Sequence, residues 1–354
     1  MKIDKGELHS KISKLKGFVP TNSPMEALKG ILYKNGYLIA ASEEMVVKAK
    51  LEVLEGEDEE FIIPLKAFDF IGSLPLGVLE IKCKEETISF SVGKLKSNYK
   101  THTAVNFAYE RESIASDGIT PIEVKRLKAA VDHVTYAAAT NNANRTMMGV
   151  HIYSDAGKLN FICLDGHRVA WDSVEYAGNV DMIISKQSIE KIMKLNLEGD
   201  VLIAHDVNGV MFRTDDYEIY TRLIQGAYFD ISKMFMQGEL FTVINRKQFE
   251  EAMTRVKLCG DVNNKAPVAF SMKNSQIDIA FRSEFNDYSE SIEVQEPWGK
   301  ELKIGFSPWL LLECIKSFDS DELLLEMTGE KMPMIIKAGD SDMKALVLPV
   351  ATRG

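Results

Sequence analysis

Cysteine is scarce in this chain of 354 residues: Cys83, Cys163, Cys259 and Cys314 lie far apart, and no CxxC pair occurs. That excludes the ligand spacing of a zinc site and the density of a disulfide-stapled scaffold, leaving core thiols as the simplest reading. No apolar run reaches the length of a membrane span. The first residues, Met1-Lys2-Ile3-Asp4-Lys5, carry charge where a signal peptide would be apolar, so the expected location is the cytoplasm. Also missing are a Gly-rich phosphate loop, a nucleophile elbow and any His or carboxylate spacing that suits a metal, so neither cofactor nor metal is expected. Basic excess is lacking too. The formal charge is −10, which taken alone argues against nucleic acid as a partner.

What the chain does have is 45% hydrophobic residues, enough for several cores, and a phrase used three times. Phe61-Ile62-Ile63-Pro64 precedes Lys66-Ala67-Phe68, Met182-Ile183-Ile184-Ser185 precedes Gln187-Ser188-Ile189, and Leu302-Lys303-Ile304-Gly305-Phe306-Ser307 precedes Trp309-Leu310-Leu311. Each reads as a strand end, a cap or Pro, then a short amphipathic helix. Ile63 and Ile184 are 121 positions apart and Ile184 and Ile304 are 120 apart, close to one third of the chain, so the phrase marks a tiling unit.

The rest of each unit repeats as well. An early helix is predicted over Lys5 to Lys16, Ile122 to Ala139 and Arg246 to Leu258, each with one apolar stripe. Alternating strands follow, in the third unit Val268 to Met272, Gln276 to Phe281 and Tyr288 to Gln295. Hairpins close the units: Val78 to Cys83 with Thr87 to Val92, Val201 to His205 with Gly209 to Thr214, and Leu323 to Met327 with Met334 to Lys337. Two helices on a mainly antiparallel sheet make each unit an α+β domain. Boundaries fall near Ser116 and near Gln237 to Leu240, which gives domains 1–116, 117–238 and 239–354.

Charge divides along the same lines. Lys5 to Lys16 carries +3, Ile122 to Ala139 +1, Ser185 to Leu195 +2 and Arg246 to Leu258 +2, whereas Pro64 to Gly72 and Phe306 to Phe318 are neutral. The remainder of the chain therefore holds −18. Helices gathered on one side would make that side basic and attract phosphate there; equally, Lys and Arg are good helix formers on solvated faces. Leu164-Asp165-Gly166-His167-Arg168-Val169, after an apolar strand, brings an acid, a base and a cation together. His167 oriented by Asp165 or Asp172 would be a general base, and an Asp-Gly turn with no chemistry is the plain alternative.

Asp165-Gly166-His167-Arg168 after a strand, Arg222-Leu223-Ile224-Gln225-Gly226 before the second junction, Ile304-Gly305-Phe306 and Leu348-Pro349, in that order across three units, resemble the bacterial sliding clamps, the β subunits of DNA polymerase III. The resemblance implies a non-catalytic ring of two head-to-tail subunits with helices lining the hole. It would encircle duplex DNA without reading sequence and tether the replicative polymerase, the clamp loader and other peptide-bearing partners. The helix charges then become a lining: Lys11, Lys14, Lys125, Arg126, Lys186, Lys194, Arg246 and Lys247.

By the same resemblance, DNA contacts come from Asn22 in the first-unit loop and from Asn142 and Arg145 in the second, where Thr146 and Met147 replace the aromatics of relatives. A partner-peptide groove would comprise Leu164, Gly166, His167, Arg168, Val169, Met236, Pro333, Val347, Leu348, Pro349 and Val350. Leu164 and Met236 stand for a Thr and a Pro common in relatives, and the tail past Pro349 departs from the family pattern, so an altered anchor preference is expected. A dimer interface would set Lys94, Lys96, Tyr99 and Lys100 against Leu258, Glu290 and Glu293 of the other subunit. The rival readings are a hydrolase at Asp165 and His167, a protein-binding scaffold that never meets DNA, and a prophage or plasmid paralogue of the clamp.

Overall fold

The computed structural model describes residues 1–107, 114–115, 119–235, 238–260, 266–283 and 286–351. One order of elements, strand, helix, four strands, helix, three strands, runs through the chain three times. The first copy is β1 (Lys2–Asp4), α1 (Lys5–Leu15), β2 (Gly30–Lys34), β3 (Tyr37–Ala41), β4 (Met45–Lys50), β5 (Phe61–Pro64), α2 (Phe68–Ser73), β6 (Val78–Lys84), β7 (Thr87–Val92) and β8 (Leu95–Lys100). The second is β9 (Ile122–Glu123), α3 (Val124–Val134), β10 (Gly149–Asp155), β11 (Lys158–Leu164), β12 (Arg168–Glu175), β13 (Asp181–Ser185), α4 (Lys186–Met193), β14 (Asp200–His205), β15 (Gly209–Arg213) and β16 (Tyr217–Arg222). The third is β17 (Leu240–Asn245), α5 (Arg246–Cys259), β18 (Val268–Lys273), β19 (Gln276–Arg282), β20 (Asp287–Glu293), β21 (Leu302–Phe306), α6 (Pro308–Lys316), β22 (Glu322–Met327), β23 (Met334–Lys337) and β24 (Lys344–Val347).

Local chemistry explains the helix starts. Asp4 and Asn245 cap α1 and α5 by accepting from the Glu7 and Gln248 amides, and Pro308 opens α6 at its first turn. The helix expected over Ile122 to Ala139 is shorter: Ile122 and Glu123 form β9, and Thr135–Ala137 tightens into a 3-10 turn. The first short helix begins with a 3-10 turn over Leu65–Ala67, since Pro64 still belongs to the strand.

Contacts group the chain into two compact units, Met1–Lys125 with Gln187–Leu223 and Arg126–Lys186 with Ile224–Gly354. Each holds one eight-stranded and one four-stranded antiparallel sheet. In the first unit the orders are β5-β2-β3-β4-β16-β15-β14-β9 and β1-β6-β7-β8; in the second they are β13-β10-β11-β12-β24-β23-β22-β17 and β20-β19-β18-β21. The long sheets arise where the fourth strand of one copy pairs with the last strand of the next, β4 with β16 and β12 with β24.

One close approach recurs. Gly30 faces Pro64 and Gly149 faces Ser185, where an added Cβ would meet an Ile methyl at 2.7 and 2.6 Å. In the third copy the glycine has changed strand: Ala269 faces Gly305. In the second unit a large core gathers α5, α6 and both its sheets around Phe249, Phe270, Phe306 and Ile315, all 1% exposed or less. Burial on that scale, at about 25 cal/mol per Å² of apolar surface, dominates the stability.

Candidate peptide groove and nucleic-acid interface

The second unit carries a separate apolar cluster on the sheet face opposite that core. Ile162 and Leu164 of β11, Val169 of β12, Ile335 of β23 and Leu346 of β24 meet Ala139, Met147 and Ile231, with Met148, Tyr153, Trp171, Tyr228 and Phe235 packed around them. Strand alternation decides who takes part. Leu164 and Val169, expected in the groove, both lie in this cluster, but Val347 is fully buried in the core behind it, and its neighbour Leu346 lies in the cluster instead. Leu348 and Val350 are exposed, with their amides bonded to the His167 and Gly305 carbonyls. Pro333 and Pro349 are half-buried, Gly166 sits at φ +89° in the turn, and Met236 lies outside the described residues.

Arg168 does not reach the rim of this cluster. Its side chain is buried, and its guanidinium donates to Asp165 Oδ2 (2.9 Å), Glu313 Oε2 (2.5 Å) and the Tyr136 carbonyl (2.7 Å) while lying 5.0 Å from the Tyr136 ring centroid. Burial opposes the charge, but these acids outweigh it and hold the guanidinium pKa above its usual value. Asp165 Oδ1 also accepts the His167 and Arg168 amides, which closes the turn. Asp172 is committed elsewhere, so neither carboxylate is left to orient His167 as a base. On the other side of the turn, a polar cavity of about 840 Å³ is lined by Asn141, Asn142, His167, Lys186 and Lys316 among others.

Asp172 belongs to His133, which ties three elements together: Nδ1 stands 2.7 Å from Asp172 Oδ2 and Nε2 3.0 Å from Asp319 Oδ2. Burial lowers the imidazole pKa, but the hydrogen bonds and charges of the two aspartates raise it further, with a net upward result. A folded value above the unfolded one stabilises fully below about pH 6.5 and fades as pH rises through the raised value. Thermal unfolding should therefore show a loss of stability above about pH 6.5 that His133→Asn does not show; identical profiles would contradict it.

The predicted DNA residues divide by what their charges already do. In the first unit Lys11 is only 15% exposed along its side chain, pairs with Asp216 at 3.3 Å and lies over the Tyr217 ring, so its charge is spent locally. Lys14, Asn22, Lys125 and Lys194 are exposed. In the second unit Arg126, Arg145 and Lys247 are exposed, whereas Lys186 and Asn142 are half-buried. Arg246 donates to the Ser320 carbonyl and Glu250, which makes it a helix-end brace. Thr146 and Met147 are buried, Met147 within the apolar cluster, so neither offers a surface for stacking on a base.

At the edges, Lys94, Lys96 and Lys100 are exposed on or beside β8, with Tyr99 against Phe70 and Phe90. In the second unit Leu258 is 80% exposed and Glu293 is exposed. Glu290 is already claimed: Arg255 grips both its oxygens, at 2.6 and 3.1 Å, which lowers its pKa, and Tyr288 donates to it as well.

Comparison with known proteins gives this arrangement a family. The model of the central domain of the DNA polymerase III beta subunit matches residues 121–230, and that of the C-terminal domain matches 237–351. The chain belongs to the DNA polymerase III beta subunit family. It is 24% identical to the beta sliding clamp of Streptococcus pneumoniae over 296 residues, covering 80% of this chain and 77% of that one. It is 25% identical to the beta sliding clamp of Staphylococcus epidermidis over 247 residues, covering 68% and 66%. Among solved structures, the beta subunit from Streptococcus pyogenes aligns at a TM-score of 0.93 with 19% identity, over 99% of both chains. The Bacillus subtilis sliding clamp aligns at 0.92 with 21% identity, again over 99% of both. At such identities the structural likeness speaks to the fold, which the beta subunits share with this α+β chain.

Proposed function

We propose that this chain is a DNA sliding clamp, a non-catalytic processivity factor whose working form is a ring of two copies around duplex DNA in the cytoplasm. Its three repeats, 1–116, 117–238 and 239–354, serve as the three domains of each copy.

The observation that carries this reading is a pair of unused edges. Twice the fourth strand of one repeat pairs with the last strand of the next, with Val47 opposite Ile219 and Ala170 opposite Ala345. Among the described residues, the third repeat's fourth strand, β20, and the first repeat's last strand, β8, lack this pairing. Followed through the internal registers, Glu290 holds the place of Val47 and Ala170, and Ser97 holds the place of Ile219 and Ala345. A second copy in the same register would set Lys94 opposite Glu293, Lys100 opposite Asp287, Leu95 opposite Ile292 and Tyr99 opposite Tyr288. Opposite charges and matched apolar pairs support joining β8 of one copy to β20 of the other, and two such joints would give every fourth strand a last strand as its partner.

Exposed Lys14, Lys125, Arg126, Arg145, Lys194 and Lys247 provide diffuse attraction to phosphates without base readout, which suits a protein that must slide. The apolar cluster around Leu164, Val169 and Leu346 would take the apolar anchors of peptides from the replicative polymerase, the clamp loader and other partners. The test is topological: with a clamp loader and ATP, the protein should stay on nicked circular DNA and be lost once the circle is linearised. Equal retention on both forms, or on neither, would leave a scaffold without a ring as the better reading.

A further inference from the structure

We infer that Lys344 is a positioning residue for the candidate peptide groove, acting as the cation in a stack between Trp171 and Phe235; the inference rests on the groove reading above. Lys344 lies directly opposite Trp171 across β12 and β24. Its Nζ is 3.4 Å from the indole centroid and 5.3 Å from the Phe235 centroid, and the two rings meet edge to face at 5.7 Å and 70°.

The indole is held from its other end, where Trp171 Nε1 donates to Oδ1 of the buried Asn160 at 3.0 Å. The neighbouring lysines each have an acid: Lys337 pairs with Glu326 and Lys158 with Asp342. Lys344 has no carboxylate within ion-pair distance among the described residues, so the rings are what its ammonium faces. Burial, then the charge of Lys337, lowers its pKa, as expected of an ammonium taken partly out of water. In that setting the attraction to an aromatic face is stronger than at an exposed site.

Phe235 connects this stack to the groove. The Met234 amide donates to the Ile231 carbonyl and closes a tight turn over residues 231–234, Phe235 follows it directly and packs against the same cluster, and Ile231 is part of the wall that meets Leu164, Val169 and Leu346. Fixing Phe235 on the Lys344 cation therefore fixes the wall. Removing the charge while keeping the shape loosens the wall without emptying the core.

The experiment is a polarisation titration of the full-length protein with a fluorescein-labelled peptide bearing Leu and Phe anchors, using wild type, Lys344→Met, Lys344→Arg and Leu346→Asp. A desolvated cation stacked on aromatic rings is worth enough that Lys344→Met should bind about fivefold more weakly, while Lys344→Arg stays within about twofold of wild type. Lys344→Met should also alter the Trp171 emission at unchanged melting temperature, and Leu346→Asp should abolish binding. Wild-type affinity in Lys344→Met overturns the inference, as does equal weakening in Lys344→Arg or a weakening that follows a lowered melting temperature. Failure of wild type itself to bind, or unchanged binding in Leu346→Asp, would instead sink the groove reading and the inference with it.

Discussion

A variant carrying Lys94→Glu and Lys100→Glu should sediment as a monomer at micromolar concentrations at which the wild type should be a dimer. The extrapolated register places these lysines opposite Glu293 and Asp287 of the other copy, and each strand pair is used twice in a ring. Cross-strand pairs contribute roughly 0.2–1 kcal/mol each, so turning four attractions into repulsions should weaken the dimer by about two orders of magnitude or more. High salt should weaken the wild-type joint and relieve the variant, because both effects are surface electrostatics.

The decisive control adds Asp287→Lys and Glu293→Lys to the same chain. Each joint then has its charges exchanged, and the dimer should return. Sedimentation velocity reads all three proteins. A fully dimeric double variant, or a quadruple variant no better than the double, would mean that β8 and β20 do not meet in this register. Reversing Glu290 should matter less to the joint than Glu293, because Arg255 of its own chain already neutralises it.

The second large effect is expected at Arg168. Its guanidinium is buried against Asp165, Glu313 and the Tyr136 carbonyl. Removing one partner of a buried ion pair typically costs about 3–5 kcal/mol, since the group left behind keeps its desolvation and loses its counter-charge. Glu313 remains well exposed and is readily rehydrated, so the lower end applies to Arg168→Ala. For a cooperative unit the size of the second one about 3 kcal/mol lowers the melting temperature by roughly 7 °C. Lys at this position cannot reach three acceptors in a planar fork and should recover little of the loss. The same variant should weaken peptide binding, because the turn that Arg168 braces carries Leu164 and Val169, and the Leu348 amide bonds to the His167 carbonyl. Calorimetry and the polarisation titration read the two effects separately. A melting temperature unchanged within about 2 °C would show that the buried charge network is dispensable.

Two residues of the apolar cluster were already named for the candidate groove by the resemblance. Leu164 and Val169 flank an Asp-Gly turn after an apolar strand, and both fall in the cluster. The displacement from Val347 to Leu346 was only half legible: alternation says that just one of the two shares a face with Val169, and the ladder that sets Val169 opposite Leu346 decides which. Ile231, Tyr228 and Phe235 could not be found this way, because they lie in an irregular connection with no period to read. Lys11 and Arg246, expected as lining, turn out to have local ion-pair partners. Asp216, which pairs with Lys11, is far away in sequence and spacing does not record it, whereas Glu250 lies four residues past Arg246 on one helix and spacing does record that pair.

The sequence by itself determined the repeat, the order of elements and their register of apolar faces. These are local properties, set by alternation, helical period, caps and turns, and written three times over. The tertiary structure decided which charges remain available, which side of a strand becomes a groove wall, and which edges go unpaired. Those depend on long-range packing, where a residue's role is set by what stands opposite it. The pairing of β4 with β16 and of β12 with β24 joined three copies of one pattern and left, among the described residues, one fourth strand, β20, and one last strand, β8, without that pairing.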